Sequence, residues 1–368
     1  MSASMLSCTP PAIPLDPVSL DRPEGAGALL LGWARLESRA SLPTQDARFV
    51  LALGQTLLEH SPIVLFQAGL PGRPAAMLAL CRSAGVLARW RLPGAREIYE
   101  PGDALCRDEE TAGVLARQIV AQGRPLDLDR LPAASPLIPA LREAMKGHGW
   151  LRLRPAAPCP RIELDPTWGE PESHFNAGRR SDFRRAARRA AEFGEVSFEL
   201  VTPTPDRFDA LFDEAIGVEL QGWKRQAGTA IASDPGKEAF FRAYLRSAAE
   251  AGTLRIAFLR IAGKAVAMQL AVEWAGRYWL YKIGYDEAYA RCSPGTLLML
   301  HTLGAAARRG LRGYELLGEA EPWIAELWTR DEGQCLRLRT YPFNLRGAVA
   351  VIADALAWIG RRMGRAGR

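Results

Sequence analysis

The stretch YKIGYDEAYARCSPGTLL, residues Tyr281–Leu298, contains the end of one strand, a short loop and the start of a helix. Aromatic and apolar side chains dominate its first residues, as they do in a buried strand. Ser293 and Pro294 are typical of the first turn of a helix. A helix that begins there presents free backbone N–H groups and the positive end of its dipole, which together can bind a phosphate. Ordinary helix capping is the simpler explanation of the same residues.

The segments around this stretch predict a mixed sheet. Hydrophobic periodicity and glycine-containing turns indicate three consecutive strands before the loop, then a helix and one more short strand. The predicted strands are Leu254–Ile261, Ala265–Trp274, Arg277–Tyr285 and Tyr314–Leu317, and the helix is Gly295–Arg309. Before them come a predicted strand, Val196–Val201, and predicted helices at Asn176–Phe193, Pro205–Gln221 and Lys237–Ala251.

The first half of the chain gives a weaker pattern. Its predicted elements are a strand at Ser61–Leu70, helices at Ala75–Ala88 and Pro136–Lys146, and a short strand at Trp150–Leu153. The proline-rich stretch Arg154–Pro171 indicates a boundary. We therefore expect an irregular arm over residues 1–23, an N-terminal domain over 24–155, a C-terminal domain over 156–345 and a tail over 346–368.

Charge is distributed unevenly along the 368 residues, whose formal net charge is +6. From Arg337 to Arg368 the chain has seven arginines, one acidic residue (Asp354) and no lysine, so this region accounts for the whole excess. Arginine supplies 42 of the 47 basic residues, which indicates a coding bias. Arginine abundance is therefore no argument for a nucleic-acid partner, and a phosphate-binding role needs a specific site.

Cysteine and histidine patterns exclude several classes of site. The six cysteines form no CxxC pair and the four histidines have no ligand spacing, so we expect neither a disulfide framework nor a bound metal. Residues 1–20 do not resemble a signal peptide, and no apolar run reaches about 18 residues. The sequence predicts a cytoplasmic protein, either soluble or peripheral on the inner membrane.

Three stretches together resemble one known superfamily. They are GWKRQAGTAI at Gly222–Ile231, the opening stretch Tyr281–Leu298, and the Trp-Ile-x-x-Leu-Trp pattern at Trp323–Trp328. In this order they resemble the Gcn5-related N-acetyltransferase (GNAT) superfamily, in the branch of the cellulose-biosynthesis acetyltransferases and the Fem-type peptidyl transferases. The resemblance implies an α/β fold with two acetyltransferase-like mixed-sheet domains in tandem, the first of them degenerate.

The resemblance also implies an N-acyltransferase that uses acyl-CoA as co-substrate and a primary amine as acceptor. Relatives act on envelope precursors, so we expect an amino sugar of a polysaccharide or a lipid amine such as a sphingoid base. RCSPGT at Arg291–Thr296 departs from the usual Gln/Arg-x-x-Gly-x-Gly/Ala motif. Fem-type relatives with a similarly altered loop use aminoacyl-tRNA, so a tRNA-dependent peptidyl transferase is the alternative. A non-catalytic scaffold in polysaccharide synthesis is a third possibility.

The donor site is expected at the helix entry and the reaction at the end of the strand before it. The expected donor-binding residues are Arg291, Ser293, Pro294, Gly295 and Thr296. An amine with a pKa near 10 is mostly protonated at neutral pH, so a base must take its proton before attack. Asp286 is the expected base, with Glu273 acting through water as a second candidate, and Tyr285 is expected to protonate the leaving thiolate. Backbone N–H groups near Gly284 are expected to polarise the carbonyl.

Lys282 is one of five lysines in an arginine-rich chain, so arginine was the compositional default at this position. A lysine pKa shifts readily, which suits acid/base work or the binding of a carboxylate. Strand alternation predicts Tyr281 and Ile283 on one face, and Lys282 and Gly284 on the other. A surface lysine beside a structural Tyr-Asp turn is the plain alternative.

The acceptor site is expected to include Trp223, Lys224, Gln269 and Tyr281. A core tryptophan and a solvent-facing strand would explain these residues equally well. Within the predicted helix Asn176–Phe193, residues 179–189 carry six arginines against one acid, Asp182, and resemble the basic helix with which Fem-type enzymes meet phosphorylated substrates. Arg184 and Arg188 are its candidate contacts, although a solvated helix face is the usual explanation.

The C-terminal tail predicts an amphipathic basic helix. Its apolar stripe consists of Val349, Ile352, Leu356, Ile359 and Met363, and arginines follow at the end of the chain. Such a helix is typical of contact with an anionic membrane, here the inner leaflet. The alternative is a helix that packs on its own domain.

Overall fold

The computed structural model of the chain describes residues 12–20, 26–70, 72–83, 85, 87–222, 231–318 and 322–366. Three sheets, with helices packed against them, form an α/β fold as expected. The strands of the first half are β1 Ile13–Ser19, β2 Ile63–Leu70, β3 Arg73–Arg82, β4 Trp90–Arg91, β5 Leu105–Cys106, β6 Asp127–Pro132 and β7 Gly149–Pro155. Its helices are α1 Ala26–Glu37, α2 Ala47–Gln55, α3 Glu109–Ala121 and α4 Leu137–Ala144.

The helix predicted at Ala75–Ala88 is wrong, because this segment contains most of strand β3. Strand β3 pairs antiparallel with β2 along its length, and Ala75 to Cys81 are buried on both faces. A strand covered on both faces is a continuous apolar run without alternation, which periodicity cannot distinguish from a buried helix. Alanine, leucine and methionine favour a helix locally, and the strand pairing overrides that preference.

The irregular arm predicted over residues 1–23 is wrong for Ile13–Ser19. These residues form β1, the outer strand of a sheet with the order β1-β2-β3-β4. Pro14 and Pro17 within this segment led to the wrong expectation. A proline cannot donate to a ladder, but an edge strand has one unpaired side and tolerates it.

The second half is built on a seven-stranded mixed sheet. Its strands are β8 Cys159–Glu163, β9 Val196–Val201, β10 Leu254–Ile261, β11 Lys264–Trp274, β12 Arg277–Tyr285, β13 Gly313–Glu315 and β14 Glu332–Gly333, in the order β14-β8-β13-β12-β11-β10-β9. The predicted meander is confirmed as β10, β11 and β12, all antiparallel, and β13 lies parallel to β12. The helices are α5 Ala177–Ala191, α6 Phe208–Leu220, α7 Pro235–Glu250, α8 Pro294–Arg308 and α9 Pro322–Leu327.

A strand near the end of the chain belongs to a sheet of the first half. Strand β15, Cys335–Pro342, lies between β6 and β7 and pairs antiparallel with both. It falls within the range 156–345 that the sequence assigns to the C-terminal domain, yet it completes a sheet of the first half. Asp127 of β6 fixes this strand, because its carboxylate accepts hydrogen bonds from Arg337 and Arg339 at 2.8–3.3 Å.

One hydrophobic core joins the halves. Phe49 of α2 packs edge-on against Phe240 and Tyr244 of α7, with ring centres 5.3 and 5.1 Å apart. Leu53 and Phe258 belong to the same buried cluster. Because this contact is apolar and buried, it fixes the position of the first half relative to the second half at the cavity described below.

The last helix, α10 Leu345–Ala366, confirms the helix predicted for the tail and packs on β15. No helix in the described part of the chain is long and apolar enough to cross a membrane.

Candidate active site

A cavity opens where two parallel strands separate. Strands β12 and β13 pair from Arg277 to Trp279 only, opposite Gly313 to Glu315. Beyond Trp279 the edge of β12 faces a cavity of about 510 Å³. Both halves line it, through Ile98, Glu100, Glu219, Gly222, Leu280, Tyr281, Lys282, Ile283, Gly284, Tyr285, Gly295, Thr296, Met299, Leu316, Leu317, Gly318, Trp323, Ile324 and Trp328. In the described part of the chain no strand pairs with β12 on this side beyond Trp279, and a strand edge of this kind can offer backbone N–H and C=O groups to a ligand.

A bulge shapes this edge of β12. The register with β11 shifts by one residue, since Leu270 opposes Lys282 while Ala271 opposes Leu280, which leaves Tyr281 as the extra residue. The predicted alternation is therefore wrong at this point: Tyr281 and Lys282 both contact α7, through ring centres 6.0 Å apart and a 5.3 Å cation–π contact to Phe241. A bulge turns side chains that alternation would separate toward one side.

The predicted helix entry lies at the cavity, and part of it lines the wall. Gly295 and Thr296 are lining residues. Ser293 has a left-handed backbone (φ 47°) and its side chain does not cap the helix, so the capping explanation does not hold. The backbone N–H groups of Thr296 and Leu297 both bond the Ser293 carbonyl. A ligand phosphate would therefore meet the Gly295 N–H, the Thr296 hydroxyl and the helix dipole.

Glu100, which the sequence did not indicate, is the strongest acid/base candidate in the cavity. It comes from the first half of the chain and is 7% exposed. Burial raises the pKa of Glu100 to about 8, although the nearby Arg130 guanidinium and Lys282 ammonium lower it. A carboxylate that titrates near neutral pH is suited to proton transfer.

Lys282 faces two carboxylates across the cavity. Burial lowers the pKa of Lys282, while the charges of Glu219 and Glu100 oppose that shift. Glu219 is brought close by Gly284, since a Cβ at Gly284 would lie 3.1 Å from the Cα of Glu219. Lys282, which the sequence singled out, thus lies in the cavity near two acidic residues. The sequence did not indicate the second of them, Glu219.

The structure places the two predicted bases outside the cavity lining. The Asp286 carboxylate accepts hydrogen bonds from Lys264 Nζ at 2.7 Å and from the Ala288 N–H at 3.0 Å, and it caps the short 3-10 segment that follows. Glu273 lies at the other end of β11, where its Oε2 accepts from Arg255 and Arg309 at 2.7 and 2.9 Å. Both carboxylates are held by cations, and neither lines the cavity.

Other predicted residues also lie elsewhere. Gln269, on strand β11, is fully buried, and its Oε1 accepts a hydrogen bond from the Tyr314 hydroxyl at 3.1 Å. Arg291 pairs with Glu192 on the surface. Arg184 and Arg188 are exposed on α5, which packs beside the entry to α8.

Trp223 and Lys224 lie outside the described residues. Gly222, immediately before them, lines the cavity and passes so close to β12 that an added Cβ would lie 2.7 Å from the Tyr285 carbonyl oxygen. Tyr281 and Tyr285 line the cavity. Burial raises the pKa of Tyr281 well above its ordinary value, so its phenol keeps its proton.

Comparison with known proteins identifies this arrangement. Residues 177–323 match the family model of the acetyltransferase (GNAT) domain. The C-terminal domain of a proposed lysylphosphatidylglycerol synthetase from Agrobacterium fabrum superposes with a TM-score of 0.54 at 16% identity, covering 90% of this chain and 96% of that one. FemX superposes with the same score at 10% identity, covering 85% and 96%. A conserved protein from Bacteroides thetaiotaomicron does so at 12% identity, covering 84% and 97%. A search of curated proteins found no significant match.

The family match and the mixed sheets thus define a transferase with an acetyltransferase (GNAT) domain at residues 177–323. Over most of its length the chain shares its fold with FemX. The expected α/β fold class is confirmed, and the expected superfamily is confirmed for residues 177–323.

Proposed function

We propose that the protein is an N-acyltransferase that moves an acyl group from acyl-CoA to a primary amine of a cell-envelope precursor. The observation that carries the proposal is the cavity at the β12–β13 separation. It combines a helix N-terminus, the edge of β12 beyond its pairing with β13 and the buried Glu100 carboxylate. These are the three elements that acyl transfer to an amine needs: a phosphate site, an oxyanion site and a base.

The donor fits the gap between the two strands. A thioester chain lying along β12 would place its carbonyl against backbone N–H groups near Gly284, which would stabilise the negative charge of the tetrahedral intermediate. The pyrophosphate would meet Gly295 and Thr296 at the start of α8. Arg291, Ser293 and Pro294 do not line the cavity, so their predicted contributions to donor binding would be indirect.

Glu100 replaces Asp286 and Glu273 as the proposed base. It takes a proton from the ammonium form of the acceptor, and the free amine attacks the thioester carbon to form the N–C bond of the tetrahedral intermediate. The C–S bond then breaks; Tyr285, which lines the cavity, gives its proton to the leaving thiolate, and the new amide nitrogen gives up its second proton to the Tyr285 phenolate. Lys282 holds Glu100 and Glu219 in place by charge and keeps Glu100 partly ionised near neutral pH.

The acceptor is proposed to be an amino sugar of a polysaccharide precursor or a lipid amine such as a sphingoid base, at the inner leaflet of the cytoplasmic membrane. Two carboxylates in the cavity favour a cationic acceptor, and the apolar wall formed by Met299, Leu317 and Trp328 favours a hydrocarbon neighbour. The name of the lysylphosphatidylglycerol synthetase structure, which specifies a lipid product, agrees with a lipid acceptor.

The exposed arginines of α5 favour a second candidate, an aminoacyl-tRNA-dependent transferase. Arg184 and Arg188 are exposed beside the α8 entry, where they could contact the phosphates of a large donor. Coenzyme A has phosphates of its own and could use the same residues, so the arginines alone do not select the donor.

A thermal-shift panel of acyl-CoAs of different chain length tests the proposal. We expect stabilisation that depends on chain length, and thiol release from the best donor when an amine is added. Stabilisation by none of them, with transfer from aminoacyl-tRNA instead, would establish the second candidate. Binding without transfer to any amine would favour the scaffold role.

A further inference from the structure

Helix α10 turns its apolar side away from the protein. The exposed stripe consists of Leu345, Val349, Ile352, Leu356 and Ile359, which are 40–80% exposed. At about 100° per residue these positions lie on one side of the helix. The domain is contacted by the opposite side, where Gly347 and Ala350 are buried. The helix therefore packs on its own domain, which is one of the two expectations for the tail, and it still presents the apolar stripe to the outside.

Polar contacts fix the helix in this orientation. Asp354 accepts hydrogen bonds from Arg89 at 3.0 Å and from the Tyr341 hydroxyl at 2.7 Å, and it pairs with Arg339 at 3.1 Å. Arg89 also donates to the Ala350 carbonyl at 3.1 Å. A Cβ at Gly347 would overlap the Pro342 carbonyl, so the helix approaches β15 as closely as a backbone can. These contacts with the folded domain fix the rotation of α10, so that the apolar stripe faces outward.

Arginines flank the stripe on one side. Asn344, just before α10, donates to the Gly123 carbonyl at 2.8 Å, which places the helix start beside Arg124. Burial and the positive charges of Arg346 and Arg82 lower the pKa of Arg124. The guanidinium groups of Arg82, Arg124 and Arg346 repel one another, so an anion bound beside them would reduce this repulsion.

Aromatic and basic residues flank the other side. Trp150, 63% exposed, packs edge-on against Phe343, 61% exposed, with ring centres 5.6 Å apart. Trp150 and Trp358 line a groove between β7 and α10 together with Arg152 and Arg154. Tryptophans at the border of an apolar surface, with arginines beside them, are typical of residues at the headgroup level of a bilayer.

We propose that this docking face, the α10 stripe with its two flanks, binds the surface of an anionic lipid bilayer. The stripe would enter the interface while both arginine groups contact lipid phosphates. A second copy of the chain fits less well, because a symmetric dimer would bring two arginine-flanked faces together. Bilayer binding by this face is independent of the group that the enzyme transfers.

Sedimentation with vesicles tests the proposal on the full-length protein. We expect binding to vesicles that contain phosphatidylglycerol, weak binding to pure phosphatidylcholine, and release by salt. Leu356→Asp should weaken partitioning by about tenfold or more, because it removes one large side chain from the face and adds a charge. Ile13→Asp is the matched control, since Ile13 is 48% exposed on β1, and it should bind as the wild type does.

Several results would overturn the proposal. Wild-type protein that stays in solution with phosphatidylglycerol vesicles would do so, as would equal binding by Leu356→Asp. Equal binding to both lipid compositions would remove the role of the arginines. A dimer that Leu356→Asp dissociates, in the absence of vesicle binding, would assign the face to self-association. Circular dichroism of each variant checks that the fold is retained.

Discussion

Replacing Glu100 by glutamine should lower activity and raise stability at the same time. The substitution keeps the shape of the side chain and removes its charge. Loss of a general base typically costs about 10²- to 10⁴-fold in rate. Because protonated Glu100 cannot accept a proton, the ratio of wild-type to variant kcat/KM should rise with pH up to about 8 and then level off. Taking the ratio cancels the ionisation of the acceptor amine, which affects both proteins equally.

The stability effect has the opposite sign. A pKa of about 8 in the folded chain against 4.5 for the free side chain means that the folded state binds more protons between these values. Wild-type stability should therefore fall as pH rises from about 4.5 to about 8, by an amount of the order of 5 kcal/mol if the whole shift is expressed. Glutamine cannot ionise, so the variant should lack this decline and be the more stable protein at pH 9.

Thiol release from acyl-CoA with a saturating amine, together with urea unfolding at several pH values, measures both effects. Asp103→Asn is the matched control, because burial raises the pKa of Asp103 to about 7 and this residue does not line the cavity. The stability of Asp103→Asn should fall less than that of the wild type as pH rises, as is expected of Glu100→Gln. Unlike Glu100→Gln, it should keep full transfer activity. An activity ratio that is constant with pH, or a variant within about threefold of wild type, would refute the role of Glu100 as base.

Three further predictions concern the cavity and its support. Lys282→Met should shift the activity midpoint to higher pH, because the Lys282 ammonium lowers the pKa of Glu100; an unchanged pH profile would contradict this contact. Gly284→Val should cost about 1–3 kcal/mol in urea unfolding, since its side chain would push against Glu219 Cα, 3.1 Å from a Cβ at this position. Asp127→Asn should cost about 2 kcal/mol at pH 7, because burial raises the pKa of Asp127 but hydrogen bonds from two arginines of β15 lower it to about 2. That difference should disappear as the pH falls from about 4 toward 2, which acid titration of both proteins can test.

The strand-loop-helix unit was predictable because its signals are local. The meander, the loop and the start of α8 follow from turn residues and helix-start residues that each lie within about twenty positions of the next, and the structure confirms these elements. The bulge at Tyr281 was not predictable, because one unpaired residue changes the faces of its neighbours without altering the alternation in the sequence.

Long-range pairing accounts for the other differences. Strand β15 joins β6 and β7, whose residues come about 180 or more positions earlier, and its own sequence gives no sign of those partners. Glu100 lies in a loop without periodicity, and its neighbour Lys282 is equally distant along the chain. Such contacts are set by the tertiary fold, which periodicity does not report.

The first half of the chain is more than a degenerate copy of the second, because it holds Glu100 at the cavity under strain. Tyr99, next to Glu100, has a φ of 65°, and Arg130 has a φ of 55°. The Arg130 guanidinium lies over the Tyr99 ring at 4.4 Å and donates to the Gly318 carbonyl of the other half at 2.8 Å. Left-handed backbone at two non-glycine residues is costly and persists where the surrounding structure enforces it, often at functional sites. The two halves must therefore fold together before Glu100 can stand beside Lys282.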